Sequence, residues 1–179
     1  FEIPQPARKV GRRIVYYPGS TFGNFDPELG LSFLKHIATV CQGGGLLIGL
    51  DLKKDATLLH QAYNDRQGLT EQFNKNLLVR INQELGGNFQ IDQFEHYAFF
   101  NPTEGRIEMH LVSLKNQSVR IGGVEIPFAQ GESIWTENSY KFTLEGFASI
   151  AKKAGLTVQH VWTDPQQLFS VQFLTTKEG

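Results

Sequence analysis

The chain has 179 residues, 40% of them hydrophobic, with 14 Phe, which suits one ordinary domain or two small ones and argues against intrinsic disorder. Seventeen Lys and Arg face eighteen Asp and Glu, a net charge of −1. There is thus no global field to draw in nucleic acid or an anionic membrane. The single Cys41 excludes an intrachain disulfide and any multi-cysteine metal site, and fits a reducing, cytoplasmic setting.

No apolar run approaches the roughly 20 residues of a membrane helix. No secretory signal pattern opens the chain. Because it starts at Phe1 and its only Met is Met109, the sequence reads as a piece of something longer.

Residues 1–11, with two prolines and the cations Arg8 and Lys9, read as an irregular lead-in. The β-branched and aromatic run Arg12–Tyr17 predicts a strand. Pro18–Asn24 (PGSTFGN) is a glycine-bearing loop. Asp26 is placed to cap a helix, with Pro27 at its first position. Leu31, Leu34, Ile37, Ala38 and Cys41 recur at helical spacing before Gly43-Gly44-Gly45. The apolar run Leu46–Leu50 predicts a strand covered on both faces. Residues 12–51 therefore spell a βαβ unit, whose ligand rim lies at the C-terminal ends of the strands. That puts Gly19–Asn24 and Asp51–Asp55 on one rim.

The texture then changes. Helices are predicted over 55–63, with Asp55 as cap, and over 70–85, with Phe73, Leu77, Leu78, Ile81 and Leu85 on its apolar face. Strands follow over 95–100, 106–114, 119–121, 124–127 and 133–142, separated by turn residues as antiparallel hairpins require. Thr143 caps a last helix that Gly155 closes, and strands over 157–162 and 169–174 finish the chain. The order predicts an α/β fold, a Rossmann-like sheet interrupted by an inserted α+β domain. Its parts are residues 1–54, an insert over 55–141, and a closing helix and strand pair over 142–179.

Several residues carry chemical potential alongside an ordinary structural reading. Asn24 offers a donor and an acceptor on the rim, or merely helps start a helix. Tyr63 (QAYND) points a hydroxyl into a cleft, or packs half-buried. Met109 (RIEMHL) is a core residue by alternation, although soft Met also lines pockets. Glu137 and Ser139 project with Trp135 from one strand face, able to grip a small polar ring if that face meets a cleft. GSTFGN is neither a dinucleotide fingerprint nor a phosphate loop, and the five histidines show no zinc spacing.

The segments GSTFGNF (19–25), GLDLKKD (49–55), AYNDRQGLTEQFNKNLLVRINQELGGNF (62–89), RIEMHL (106–111), TENSYKF (136–142) and AGLTVQHVWTD (154–164) occur together in order. In this the chain resembles the C-terminal part of the histidine-specific, S-adenosylmethionine-dependent methyltransferases of ergothioneine biosynthesis. The resemblance implies a methyltransferase sheet with an inserted substrate domain, and methylation of the α-amino nitrogen of histidine to give hercynine. It implies that Asn24 and Tyr63 hold the amino-acid head group, that Met109, Glu137 and Ser139 receive the imidazole, and that Gly19 lies near the methyl donor. No metal and no membrane or nucleic-acid partner is implied. The family's donor-binding glycine motif falls upstream of Phe1. The fragment is therefore expected to be inactive alone, with a sheet edge open to self-association. Two other readings stay open: a relative acting on another amino acid or amine, and a non-catalytic ligand-binding module.

Overall fold

A computed structural model describes residues 11–41 and 43–176. The lead-in with Arg8 and Lys9 lies outside the described residues. The chain divides into two compact units, one built from residues 1–53 and 140–179, the other from 54–139.

The first unit holds a four-stranded sheet ordered β1-β2-β9-β8. Strand β1 (Ile14–Tyr17) runs parallel to β2 (Gly45–Asp51), joined through helix α1 (Pro27–Val40). A parallel pair needs such a crossover, because a tight turn can only join antiparallel strands. Strands β8 (Leu156–Thr163) and β9 (Phe169–Thr176) form an antiparallel hairpin, with β9 antiparallel to β2. Gly45 is the first residue of β2 rather than part of the helix stop.

Helix α4 (Leu144–Lys153) starts where the Thr143 side chain accepts a hydrogen bond from the Gly146 N–H at 3.0 Å. Asp26 occupies the N-cap position of α1 and its carbonyl accepts the first helical bond, from the Gly30 N–H, but its side chain makes no capping bond. Pro27 at the first position is pre-set to a helical φ.

Leu34 and Ile37 of α1, Phe147 and Ala151 of α4, Leu46, Ile48 and Leu50 of β2 and Leu174 of β9 form one buried cluster. At its centre, the ring of Phe147 meets Phe22 edge-on at 5.6 Å and Phe142 at 5.9 Å. Beside it, Lys141 is buried and pairs with Asp51 at 2.9 Å. That partner makes burial of an ammonium tolerable.

The second unit pairs helices with antiparallel strands. Helix α2 (Ala56–Tyr63) is capped by Asp55, whose carboxylate accepts from the Thr57 N–H at 2.8 Å. Helix α3 (Leu69–Leu85) follows a short loop. A three-stranded sheet ordered β3-β4-β7 comprises β3 (Phe94–Asn101), β4 (Arg106–Ser113) and β7 (Ser133–Tyr140, its last residue in the first unit). Residues 141–142, expected to prolong that last strand, instead reach the first unit's sheet, where Phe142 bridges Leu52 in parallel. A separate hairpin, β5 (Gln117–Ile121) with β6 (Val124–Phe128), turns on Gly122-Gly123. Both glycines have positive φ, 55° and 85°, as a two-residue hairpin turn requires.

Only part of the apolar face expected for α3 is buried. Phe73, Leu77 and Leu85 are exposed, whereas Asn74 and Leu78 are buried and Ile81 packs beside Leu78. The helix is rolled so that a polar side chain enters the interior, because Asn74 finds hydrogen-bond partners there.

Two consequences can be measured. Phe147→Ala removes the ring at the centre of the first cluster and is expected to cost about 3–5 kcal/mol; a urea-unfolding loss below about 1 kcal/mol would show that the cluster does not hold this unit. In the α2–α3 loop, the Asp65 carboxylate accepts from the Thr70 N–H at 2.9 Å and the Leu69 N–H at 3.0 Å. These bonds pull its carboxyl down to about 2. A depressed carboxyl pKa means stability that is present above the unfolded value of about 3.9 and lost as pH falls through the folded one. Asp65→Ala should therefore lower the melting temperature at pH 6 and flatten its decline between about pH 4 and 2, as followed by circular dichroism.

Candidate functional site

The rim of the first unit is built from a short strained turn. Beyond β1, Gly19 and Ser20 both take positive φ, 75° and 58°. The second is unusual for a residue with a Cβ. It is held there because Ser20 Oγ accepts the Asp51 N–H at 2.8 Å, tying the loop to the end of β2. The next residues, Thr21–Asn24, form one turn of 3-10 helix. Phe22 is its anchor, 2% exposed among the aromatic rings of the core. Asn24, at the end of that turn, is exposed. Gly19 is exposed, and a Cβ added there would meet nothing nearer than Thr21 Oγ1 at 4.0 Å.

Tyr63 belongs to the second unit, as the last residue of α2. Its hydroxyl donates to Ser139 Oγ at 2.8 Å, joining residues 76 positions apart in sequence. Its ring packs on a small cluster of Leu59, Ala98, Ile107 and Met109. Met109 is 2% exposed, as alternation along β4 requires, and its carbonyl accepts from Thr136 Oγ1 at 3.0 Å. Strand β7 thereby brings its end, with Glu137 and Ser139, beside β4. Exposure alternates cleanly over 133–136 and then stops alternating: Glu137 is half-buried and Ser139 buried.

The structure thus gathers Tyr63, Ser139 and Met109 within the second unit, with Glu137 two residues from Ser139. Asn24 and Gly19 belong to the first unit. Trp135 donates its Nε1 hydrogen to the Glu137 carbonyl at 3.2 Å. It stacks on His110 at 5.9 Å and lies under the Arg106 guanidinium at 4.8 Å. Arg106 also pairs with Glu108 at 2.9 Å. Burial alone would raise the Glu108 carboxyl, but hydrogen bonds from Arg106 and Asn101 outweigh it and hold the group below its ordinary range.

Residues that the sequence did not single out fix Tyr63. The Asn64 side-chain amide donates to the Ala98 carbonyl at 3.0 Å, pinning the end of α2 to β3. His96 Nε2 lies 2.9 Å from the Tyr63 carbonyl, and His96 Nδ1 lies 3.0 Å from the Asn74 side-chain nitrogen. The one available signal was Asn74 itself, four residues before the buried Leu78 and so on the same helical face.

Elsewhere, a hollow of about 570 Å³ in the first unit is lined by Arg12, Ile14, Thr157, His160, Phe173 and Thr175. It lies by the start of β2, opposite the rim where α/β sheets bind ligands, and is lined by none of Gly19, Asn24, Tyr63, Met109, Glu137 and Ser139. Among the described residues, no three His, Cys, Asp or Glu are grouped to hold a metal ion, and no helix is long and apolar enough to cross a membrane.

Residues 2–176 match the family model described as histidine-specific methyltransferase, SAM-dependent. The histidine N-alpha-methyltransferase of Mycolicibacterium smegmatis is 45% identical over 159 residues, covering 87% of this chain and 50% of that protein. Its namesake from Mycobacterium tuberculosis is 43% identical over 166 residues, covering 91% and 50%. The L-tryptophan methyltransferase trpM of Psilocybe serbica is 29% identical over 171 residues, covering 92% and 47%. The chain spans about half the length of these relatives. With nearly its whole length matched, the chain belongs to the histidine-specific, S-adenosylmethionine-dependent methyltransferase family.

Proposed function

We propose that this chain is the substrate-gripping portion of a protein that transfers methyl groups from S-adenosylmethionine to the α-amino nitrogen of histidine, giving hercynine. The observation that carries this reading is the Tyr63–Ser139 hydrogen bond. It joins a residue expected at the amino-acid head group to one expected at the ring, next to the buried Met109. In this reading Asn24 and Tyr63 hold the head group, while Met109, Glu137 and Ser139 receive the imidazole and the 54–139 unit is the substrate domain. Gly19, exposed and bare of a side chain, fits a position against the methyl donor.

S-adenosylmethionine supplies a methyl group on a sulfonium, ready for in-line displacement by an amine. The protein's own task is placement, because a well-oriented pair gains effective molarities of about 10⁵–10⁸ M. Two hydroxyls that already satisfy each other can exchange that bond for a ligand's carboxylate or ring nitrogen with little reorganisation. A Glu137 carboxylate accepting an imidazole N–H discriminates strongly, since a substrate without that donor leaves the carboxylate unpaired.

Supplied with histidine and S-adenosylmethionine, the protein at the full length of its relatives should yield trimethylated histidine by mass spectrometry; unmodified histidine would overturn the proposal. Across a panel of amino acids, Glu137→Ala should reduce kcat/KM for histidine by about 10–100-fold while sparing poor substrates such as tryptophan. A uniform loss would remove the ring-gripping role. Activity on another amino acid alone would favour the variant reading that the tryptophan-methylating relative exemplifies.

A further inference from the structure

A carbonyl in the last turn of a helix has no partner within the helix. At the end of α2 that carbonyl belongs to Tyr63, and the group facing it is the ring of His96, with Nε2 at 2.9 Å. A histidine ring nitrogen donates only if it carries the hydrogen, and here the surroundings decide that it does. The Asn74 side-chain nitrogen lies 3.1 Å from the His110 carbonyl oxygen, which can only accept. The amide is thereby oriented nitrogen-first. The same nitrogen lies 3.0 Å from His96 Nδ1, so Nδ1 is the acceptor and the hydrogen resides on Nε2. Asn74 is 3% exposed, and a buried amide cannot turn its oxygen toward that carbonyl without losing a bond.

We propose that His96, held by Asn74 in its Nε2–H form, is a positioning residue that sets the Tyr63 hydroxyl by gripping the Tyr63 backbone. Tyrosine is a rigid lever with two side-chain torsions, so where its backbone is fixed decides where its hydroxyl can reach. The grip spans three elements: Asn74 from α3, His96 from β3, and the His110 carbonyl from β4. Asn64 adds a second fastening at the next residue. The consequence for substrate rests on the reading that Tyr63 holds the amino-acid head group; the placement of the tyrosine does not.

The experiment therefore has two arms. In the first, the ring signals of Tyr63 are followed by carbon-detected NMR in the present chain, assigned among its 5 tyrosines by Tyr63→Phe. His96→Ala should shift or broaden the Tyr63 signals and leave those of Tyr16, Tyr17 and Tyr140 in place, Tyr97 being adjacent to the substitution. His96→Gln, whose side-chain nitrogen can donate to the same carbonyl, should restore them. Nitrogen shifts of His96 in the unsubstituted chain should report the Nε2–H form, a measurement that stands even if His96→Ala fails to fold. An Nδ1–H form, or Tyr63 signals unchanged in folded His96→Ala, would overturn the proposal.

In the second arm, histidine affinity is measured in a protein of the relatives' length. His96→Ala should weaken it by about fivefold, but by less than about twofold when Tyr63→Phe is already present, because coupled residues are not additive. Equal losses on both backgrounds would show that His96 acts by some other route and overturn its role toward substrate. If Tyr63→Phe alone leaves histidine affinity unchanged, the head-group reading fails, and with it the effect on affinity. The tyrosine signals then still decide the placement.

Discussion

A buried amide must spend all of its hydrogen-bonding capacity on the protein or cost the fold stability. The side-chain nitrogen of Asn74 meets that constraint with two acceptors, in a way that organises the second unit. Its nitrogen faces the His110 carbonyl on β4 and the His96 ring on β3, and the other side of that ring faces the last residue of α2. One polar side chain thereby sets how α3 is rolled, which form His96 takes, and where α2 ends. Apolar packing alone would not do this, since hydrophobic contact is non-directional. Hydrogen bonds fix angles, and the placement of the Tyr63 hydroxyl against Ser139 requires angles.

The first unit is organised differently. There a single apolar strand, β2, lies between a parallel neighbour and an antiparallel one, and its buried face meets two helices. Beyond the backbone ladders to its neighbours, side-chain bonds fix the strand's end. The Asp51 N–H goes to Ser20 and the Asp51 carboxylate to Lys141. A loop carrying two positive-φ residues is thus held to the sheet by its own side chain. Rims of this kind suit ligand approach because strain and bare backbone are tolerated only where the surroundings over-determine them.

The contrast explains why the candidate residues of the two units were unequally readable. Gly19, Asn24 and their loop follow a strand and precede a helix, so local pattern marks them. Tyr63 and Ser139 carry no local mark beyond their motifs, because their meeting depends on β7 arriving beside β4. Met109 was legible as core from alternation alone. The contacts of Trp135 with His110 and Arg106 carry no local mark either, since those partners come from another strand. The Asp26 side chain was expected to cap and does not; its Oδ1 lies 3.5 Å from the Tyr140 hydroxyl, a partner from a distant part of the chain.

Local chemistry in the sequence determined the elements: proline and N-cap residues for helix starts, glycine pairs for turns, and the change from helical to alternating periodicity that marks where the texture shifts. It also determined that β2 would be buried and that the strand after Gly105 would turn Met109 inward. Only the tertiary structure decided which face of α3 is buried, since Phe73 and Leu77 are the more apolar choice and Asn74 took the interior. Helical periodicity sums the preference of each residue for water. It has no means of representing an acceptor on one strand and a ring on another that together make a buried asparagine more stable than a buried phenylalanine.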